Sequence, residues 1–451
     1  PAREARRRKI RNSLINTIYY SDIVNKYMSD ISSEKVYFEA KDITYVFPGN
    51  KIGLHDINFL EQSGNMVGIM GASGAGKTTL LNVLSGINKP TTGDVKVNDK
   101  SIYYDSEEVK GLVGYIAQDD LLFEELIVYQ NLFYNAQLCL GGLSNEEIDA
   151  KVIHVLKSLG LLEIKDLIVG SPLNKKISGG QRKRLNIGLE LIREPYVLFV
   201  DEPTSGLSSR DSENIMDLLK ELTLKGKLVI IVIHQPSSDI FKMFDKLLIM
   251  DTGGFPVYYG NPVNAISYFK DKGNYVESQK SMCGECGNVN PEQIFNIIES
   301  KVVNEYGQFL DQRKVTPTKW NELFSETFNL KSIIDRFSKF NKETKLTPSI
   351  IPDKIKQLSV FIKRDVKSKL SNKQYMTFTF MEAPLLALIL AYLVRYFNVD
   401  QGIGESEYIF SENENMVAYL FMSVVVALFL GMIVSAEEIF KDTKIRKRES
   451  F

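Results

Sequence analysis

Gly71-Ala72-Ser73-Gly74-Ala75-Gly76-Lys77-Thr78-Thr79 meets the pattern G-x-x-x-x-G-K-[ST] at every fixed position. Residues 66–70 before it form an apolar run of strand length, and residues 79–84 after it read as an apolar helix start. Strand, glycine-rich loop and helix in that order make a phosphate cradle. The glycines let successive N–H groups turn inward, and the helix adds the positive end of its dipole. Lys77 is placed to reach terminal phosphates, and the Thr78 hydroxyl to hold a Mg²⁺ ion. A plain glycine-rich turn with a surface lysine would have to match both the pattern and its flanks by accident. The stretch predicts nucleotide binding.

At 451 residues the chain has room for two or three domains. With 44% hydrophobic and 25% charged residues, bulk disorder is excluded. A net charge of −1 leaves no global field that would favour nucleic acid, so no nucleic-acid partner is expected. The three cysteines, Cys139, Cys283 and Cys286, cannot make a disulfide framework, which fits a reducing compartment. Cys283-Gly284-Glu285-Cys286 has no second Cys or His pair to complete a zinc site and reads as a turn with two thiols. The chain opens on Pro1-Ala2-Arg3 without an initiator Met or signal segment, and reads as a piece of a longer protein.

Residues 1–34 read as a basic helical extension whose arginines are a solvated charge run. From residue 36 the pattern alternates: Val36, Phe38 and Ala40, then Ile43, Tyr45 and Phe47, closed by Pro48-Gly49-Asn50. With a second strand over 54–60 this is a hairpin beside the central sheet. Its Phe47 or Tyr45 is placed either to stack on a purine ring or to fill the core. Short strands follow at 95–97 and 102–104, then a strand over 112–118 and helix over 120–165, where His154 reads as structural. Apolar runs at 197–200, 228–233 and 246–250, separated by helices, predict a mostly parallel sheet in an α/β domain.

Two of these strands carry chemistry. The run 196–200 ends in Asp201-Glu202, putting two carboxylates at the carboxyl edge of the sheet, where ligands of open α/β sheets sit. Asp201 is placed to hold Mg²⁺ and Glu202 to polarise an attacking water. Another strand ends before His234, whose imidazole is placed to contact the terminal phosphate. Each is ambiguous alone; with residues 71–79 they make one phosphate-hydrolysing site. Ile177-Ser178-Gly179-Gly180-Gln181 then opens a helix continuing with Arg182, Lys183 and Arg184. Small residues at a helix start make a second anion site. One domain needs only one cradle per nucleotide, so the second is expected to close on the nucleotide of another subunit.

Residues 177–181 closely resemble the signature of ATP-binding-cassette (ABC) ATPases, usually Leu-Ser-Gly-Gly-Gln, and fall in that family's order between the phosphate loop and the Asp-Glu strand end. The resemblance covers residues 36–260. It implies an α/β P-loop NTPase with a mixed sheet core, an antiparallel β subdomain and an α-helical subdomain. It makes Phe47 the adenine-stacking aromatic, Gln118 the Q-loop residue facing the metal, Asp201 and Glu202 the Walker B pair, and His234 the switch histidine. It assigns ATP to Gly71, Ala72, Ser73, Gly74, Ala75, Gly76, Lys77, Thr78 and Thr79 of one copy and Ser178, Gly179, Gly180 and Gln181 of the other, with Mg²⁺ at Thr78, Gln118 and Asp201. The runs Gln181-Arg182-Lys183-Arg184-Leu185, 201–207 and 234–238 resemble the G subfamily, whose half-transporters place the ATPase before the membrane domain. Asn290-Pro291 with Phe295 is similar to that subfamily's Asn-Pro-Ala-Asp-Phe element. One departure is Ser208 where the family has the D-loop aspartate, with Asp211 three residues on.

The C-terminal third points to a membrane. Residues 266–350 read as a linker and helical extension, with Trp320, the single tryptophan, as a packing anchor. Ile355, Leu358, Phe361, Ile362, Val366 and Leu370 recur at helical spacing between lysines, giving a basic amphipathic helix over 353–372 that suits a membrane interface. Residues 376–397 are apolar apart from Glu382 and Arg395, and residues 416–436 carry no charge, enough to cross a bilayer that needs about 20 residues. The loop 398–415 holds acidic residues and no Lys or Arg, while basic residues crowd 354–373 and 441–448. The positive-inside rule then puts both ends and the ATPase in the cytoplasm. Residues 437–451 become a cytoplasmic segment like the family's relay hairpin.

The expectation is an ATP-driven exporter in the cell (plasma or inner) membrane. It is multi-pass and dimeric with a second copy or a paralogous half-transporter, and moves a small hydrophobic or lipid-like substrate across the lipid bilayer. Two spans cannot enclose a path, so the membrane domain is expected to continue past Phe451. The rivals are a membrane-bound ATPase regulator without transport, and a soluble ABC ATPase acting on nucleic acid, which the apolar spans oppose.

Overall fold

The computed structural model describes residues 35–171, 174–275, 287–306, 308–328, 330, 334, 350–394 and 413–448. The N-terminal basic segment, Cys283 and Cys286 and the acidic loop 398–412 lie outside the described residues.

Two sheets share one sandwich. β1 (Tyr37–Phe47) and β2 (Lys51–Gln62) pair antiparallel and join β4 (Thr92–Val97) and β5 (Lys100–Ser101) in the order β2-β1-β4-β5. The second sheet has six strands in the order β10-β9-β3-β8-β7-β6. Here β3 (Met66–Gly71), β6 (Val113–Ile116), β7 (Val197–Asp201), β8 (Leu228–Val232) and β9 (Lys246–Asp251) run parallel, with β10 (Phe255–Gly260) antiparallel at one edge. This is the mixed α/β core expected.

The strand period of two divides the six-stranded sheet between two cores. In β7, Val197 and Phe199 face the core shared with β1, β2 and α1 (Lys77–Leu84), while Leu198 and Val200 face the helices on the other side. β8 and β9 divide in the same way, Ile230 and Leu248 to one side, Ile231 and Ile249 to the other. Every residue of β7 and β8 is buried, as the continuous apolar runs require.

The helical side holds α2 (Val128–Cys139), α3 (Asn145–Ser158), α4 (Gly179–Leu191), α5 (Ser209–Leu224), α6 (Ser238–Met243) and α7 (Pro262–Lys272). The stretch 120–127, expected to be helical, is not. It is held as a loop with a turn at 124–126 by Asn131, which accepts from Phe123 N at 2.8 Å and donates to the Phe123 and Ile127 carbonyls. Residues 102–104 turn rather than pair, because the Ser101 hydroxyl accepts the N–H groups of Tyr103 and Tyr104.

After α7 the chain stays on the same core through α8 (Glu292–Ile298), the hairpin β11 (Lys301–Val303) and β12 (Phe309–Arg313), and α9 (Pro317–Thr327). Trp320 is fully buried edge-on to Phe269, so the single tryptophan is a packing anchor. The stretch read as a linker and helical extension thus includes a hairpin pinned by Arg313 to the buried carboxylate of Asp251 at 2.8 Å.

α10 (Lys354–Ser371) lies against the α2 region. Gln357 donates to Leu138 O at 3.1 Å, the Arg364 guanidinium lies 4.2 Å above the Phe123 ring, and Ser368 meets Glu125 at 3.2 Å. Val360, Arg364 and Ser368 form the buried stripe, while Ile355, Leu358, Ile362, Val366 and Leu370 are exposed. α11 (Lys373–Leu393) contains the 19-residue apolar stretch Tyr375–Leu393, long enough to cross a membrane and with none of it buried. α12 (Met416–Arg448) begins with the shorter apolar stretch Met416–Met432.

Candidate nucleotide site

The phosphate loop is shaped by close backbone contacts. Gly76 caps α1 with φ of 85°, and a Cβ there would stand 3.0 Å from the Gly53 carbonyl oxygen. Gly71 leaves no space either, since its Cβ would fall 2.5 Å from Met250 O. These two positions admit only glycine. Lys77 folds back over the loop and donates to Gly71 O at 2.8 Å and Ala72 O at 3.0 Å. Burial lowers the pKa of its ammonium, and the charges of Glu202 and Asp201 oppose that shift. Ser73 and Gly74 at the rim of the loop are exposed.

The carboxylates arrive from β7. Asp201 is buried, accepts a hydrogen bond from the Thr78 side chain, and keeps its Oδ1 without a hydrogen-bond partner among the described residues. Burial and the neighbouring Glu202 push its pKa up to about 6, against the pull of Lys77 and Thr78. An orphaned carboxylate oxygen beside a threonine hydroxyl is an oxygen donor set that fits Mg²⁺. Glu202 turns out of the strand with φ of 43°, in the left-handed region that non-glycine residues rarely occupy. Its N–H is tied to Val232 O at 3.0 Å, and its Oε2 accepts from Gln118 Nε2 at 2.9 Å. Gln118 follows β6, so three neighbouring strand ends bring Gln118, Glu202 and the His234 segment to one edge. His234 is exposed and lines, with Glu202, a groove of ≈ 600 Å³.

Phe47 ends β1 half-exposed, edge-on to Tyr45 at 5.2 Å, and its ring lies over Gly53, the residue that abuts Gly76. The aromatic is therefore next to the phosphate loop, whereas Tyr45 packs against the core. His154 is on α3 and does not line the groove that holds Glu202 and His234.

The second cradle is built at the start of α4. Ser178 caps the helix: its Oγ accepts from Gln181 N at 3.1 Å, and Gln181 Oε1 accepts from Ser178 N at 2.8 Å. Gly179 and Gly180 pack against Leu207 and Asp211. The basic residues behind this tip do not face outward. Arg182 and Lys183 are buried and turn back onto residues 118–124: Lys183 donates to Gln118 O at 2.7 Å and pairs with Asp120 at 3.4 Å, and Arg182 pairs with Asp120 at 3.5 Å. Sequence alone did not indicate this, because a basic triplet after a glycine pair reads equally well as an anion-facing face. Ser208 caps α5 and shares a hydrogen bond with Asp211 Oδ2 at 2.9 Å, a pairing that the offset of three residues would have revealed.

Comparisons with known proteins agree with this geometry. Residues 54–205 match the family model described as ABC transporter, and residues 234–321 match one described as ABC-2 type transporter. The second match runs from the His234 segment through β9, β10 and α7 into the extension folded on the core, ahead of the apolar helices. The ABC-type transporter claG of Penicillium crustosum is 39% identical over 48% of this chain and 29% of its own length. ABC transporter G family member 14 of Arabidopsis thaliana is 39% identical over 49% of this chain and 34% of its own. ABC transporter G family member 22 of the same plant is 32% identical over 73% of this chain and 45% of its own. The chain thus spans less than half the length of these curated relatives. With the phosphate loop, the Asp-Glu strand end and the glycine-tipped α4 in one frame, residues 54–205 form an ABC transporter domain, and the chain resembles ABC transporter G family members.

Proposed function

We propose that the chain is the ATP-hydrolysing and membrane-entering part of a dimeric ABC transporter that exports a hydrophobic or lipid-like substrate across the cell membrane. The observation that carries the reading is the meeting of Lys77, Thr78, Asp201, Glu202 and Gln118 at one sheet edge, on a chain that continues into an exposed apolar helix.

In this reading Lys77 exchanges its two loop carbonyls for the terminal phosphates of ATP, and the loop N–H groups bind the phosphate chain. Thr78 and Asp201, with Gln118, hold Mg²⁺, which when bound neutralises charge on the phosphates. Glu202, oriented by Gln118, polarises the attacking water, and His234 contacts the terminal phosphate from the same groove. Phe47 stacks on the adenine. Ser178, Gly179, Gly180 and Gln181 close on the nucleotide of the partner, which is a second copy or a related chain. The ATPase lies in the cytoplasm, because the basic residues flank the apolar helices on that side.

Two experiments test the reading. Glu202→Gln in the full-length protein should abolish ATP-dependent uptake into inverted vesicles while ATP binding is kept; uptake at the wild-type rate would defeat it. Cysteines at Ser73 of one copy and Ser178 of another should crosslink when ATP is trapped; no crosslink with nucleotide bound would defeat the paired arrangement.

A further inference from the structure

Lys183 holds a position that its place in the basic triplet does not announce. It lies on the second turn of α4, is buried, and spans 65 residues to donate to Gln118 O at 2.7 Å. Its second anchor is Asp120 Oδ1 at 3.4 Å, an oxygen with no hydrogen-bond partner among the described residues. The side chain of the same Gln118 donates to Glu202 at 2.9 Å. An ammonium buried on α4, hydrogen-bonded to a carbonyl and paired with a carboxylate, is a stiff link, because withdrawing it from these two partners leaves the Lys183 charge itself desolvated and unpaired. Lys183 therefore fastens the backbone of residue 118 to the helix whose tip is the second cradle. The link runs directly from α4 to residue 118 without crossing the sheet.

We infer that Lys183 is a positioning residue for hydrolysis: it sets the Gln118 carboxamide against Glu202 and makes that setting depend on where α4 stands. The inference rests on the ATPase reading above and adds a buried residue of α4 that lies outside the phosphate loop and the Asp201-Glu202 pair.

The test uses the full-length protein, with steady-state ATP turnover and ATP binding measured on the same preparation. Lys183→Met keeps the aliphatic stem and removes the charge. It should lower kcat at least tenfold and leave the ATP dissociation constant within about threefold, as loss of an interaction used only in turnover requires. Lys183→Arg should restore part of the rate. In a Gln118→Ala background, Lys183→Met should cost nothing further, because the link then has nothing to position. A full additional loss in that background, an unchanged kcat, or a parallel fall of binding and thermal stability would each overturn the inference. A wild-type protein that binds ATP but never turns it over would instead defeat the ATPase reading, and the inference with it.

Discussion

The Asp211 carboxylate stands where a side chain on Gly180 would have to go: a Cβ at residue 180 would lie 2.7 Å from Asp211 Oδ1. Asp211 is itself held by the Ser208 hydroxyl at 2.9 Å. The Ser208 and Asp211 pair therefore packs a carboxylate onto the tip of α4, beside the helix N-terminus, where negative charge is favourable.

Gly180→Ala tests that contact. Alanine in a helix gains roughly 0.5–1 kcal/mol over glycine, and the clash with Asp211 offsets it. The single variant should show no gain in its unfolding midpoint, whereas in an Asp211→Ala background the same change should raise it. Equal effects in both backgrounds would mean that the two residues do not touch.

Asp201 gives a pH dependence. Its pKa is raised to about 6, so below that pH a proton occupies the carboxylate proposed above to hold Mg²⁺. Apparent Mg²⁺ affinity in the presence of nucleotide should strengthen as pH rises from 5 to 7 and then level off. In the metal-free protein the sign is the reverse for stability: the contribution is present at acid pH and lost as pH rises through about 6. A titration flat across this range would contradict the burial of Asp201.

Trp320 measures how firmly the extension after α7 belongs to the ATPase core. Trp320→Ala empties a fully buried site and should cost about 3–5 kcal/mol. Its indole N–H has no hydrogen-bond partner among the described residues, so Trp320→Phe should cost far less. Thermal unfolding of the two variants distinguishes a packing anchor from a polar one.

Arg364 tests the docking of α10. Arg364→Ala removes the guanidinium from the Phe123 ring, a contact worth about 0.5–2 kcal/mol. Amide hydrogen exchange should quicken along α10 and leave the strands of the central sheet unchanged. Faster exchange throughout would mean that the helix is part of the core rather than docked on it.

Much of the site was legible in the order of residues because it depends on local backbone. A glycine pattern before a helix, a Ser-Gly-Gly tip and an Asp-Glu pair after an apolar strand are each decided within a few residues, and each sits where its pattern implies. The apolar stretch Tyr375–Leu393 is likewise a property of composition. What only the tertiary structure decided spans longer separations. Lys183 reaches Gln118 across 65 residues, Arg313 reaches Asp251 across 62, and Ser368 reaches Glu125 across 243. Periodicity marks which face of α10 is apolar, but not that this face stays exposed while Val360, Arg364 and Ser368 are buried. A charged side chain turns inward only where a partner from elsewhere in the chain compensates its desolvation, and that partner has no signature in the neighbouring residues.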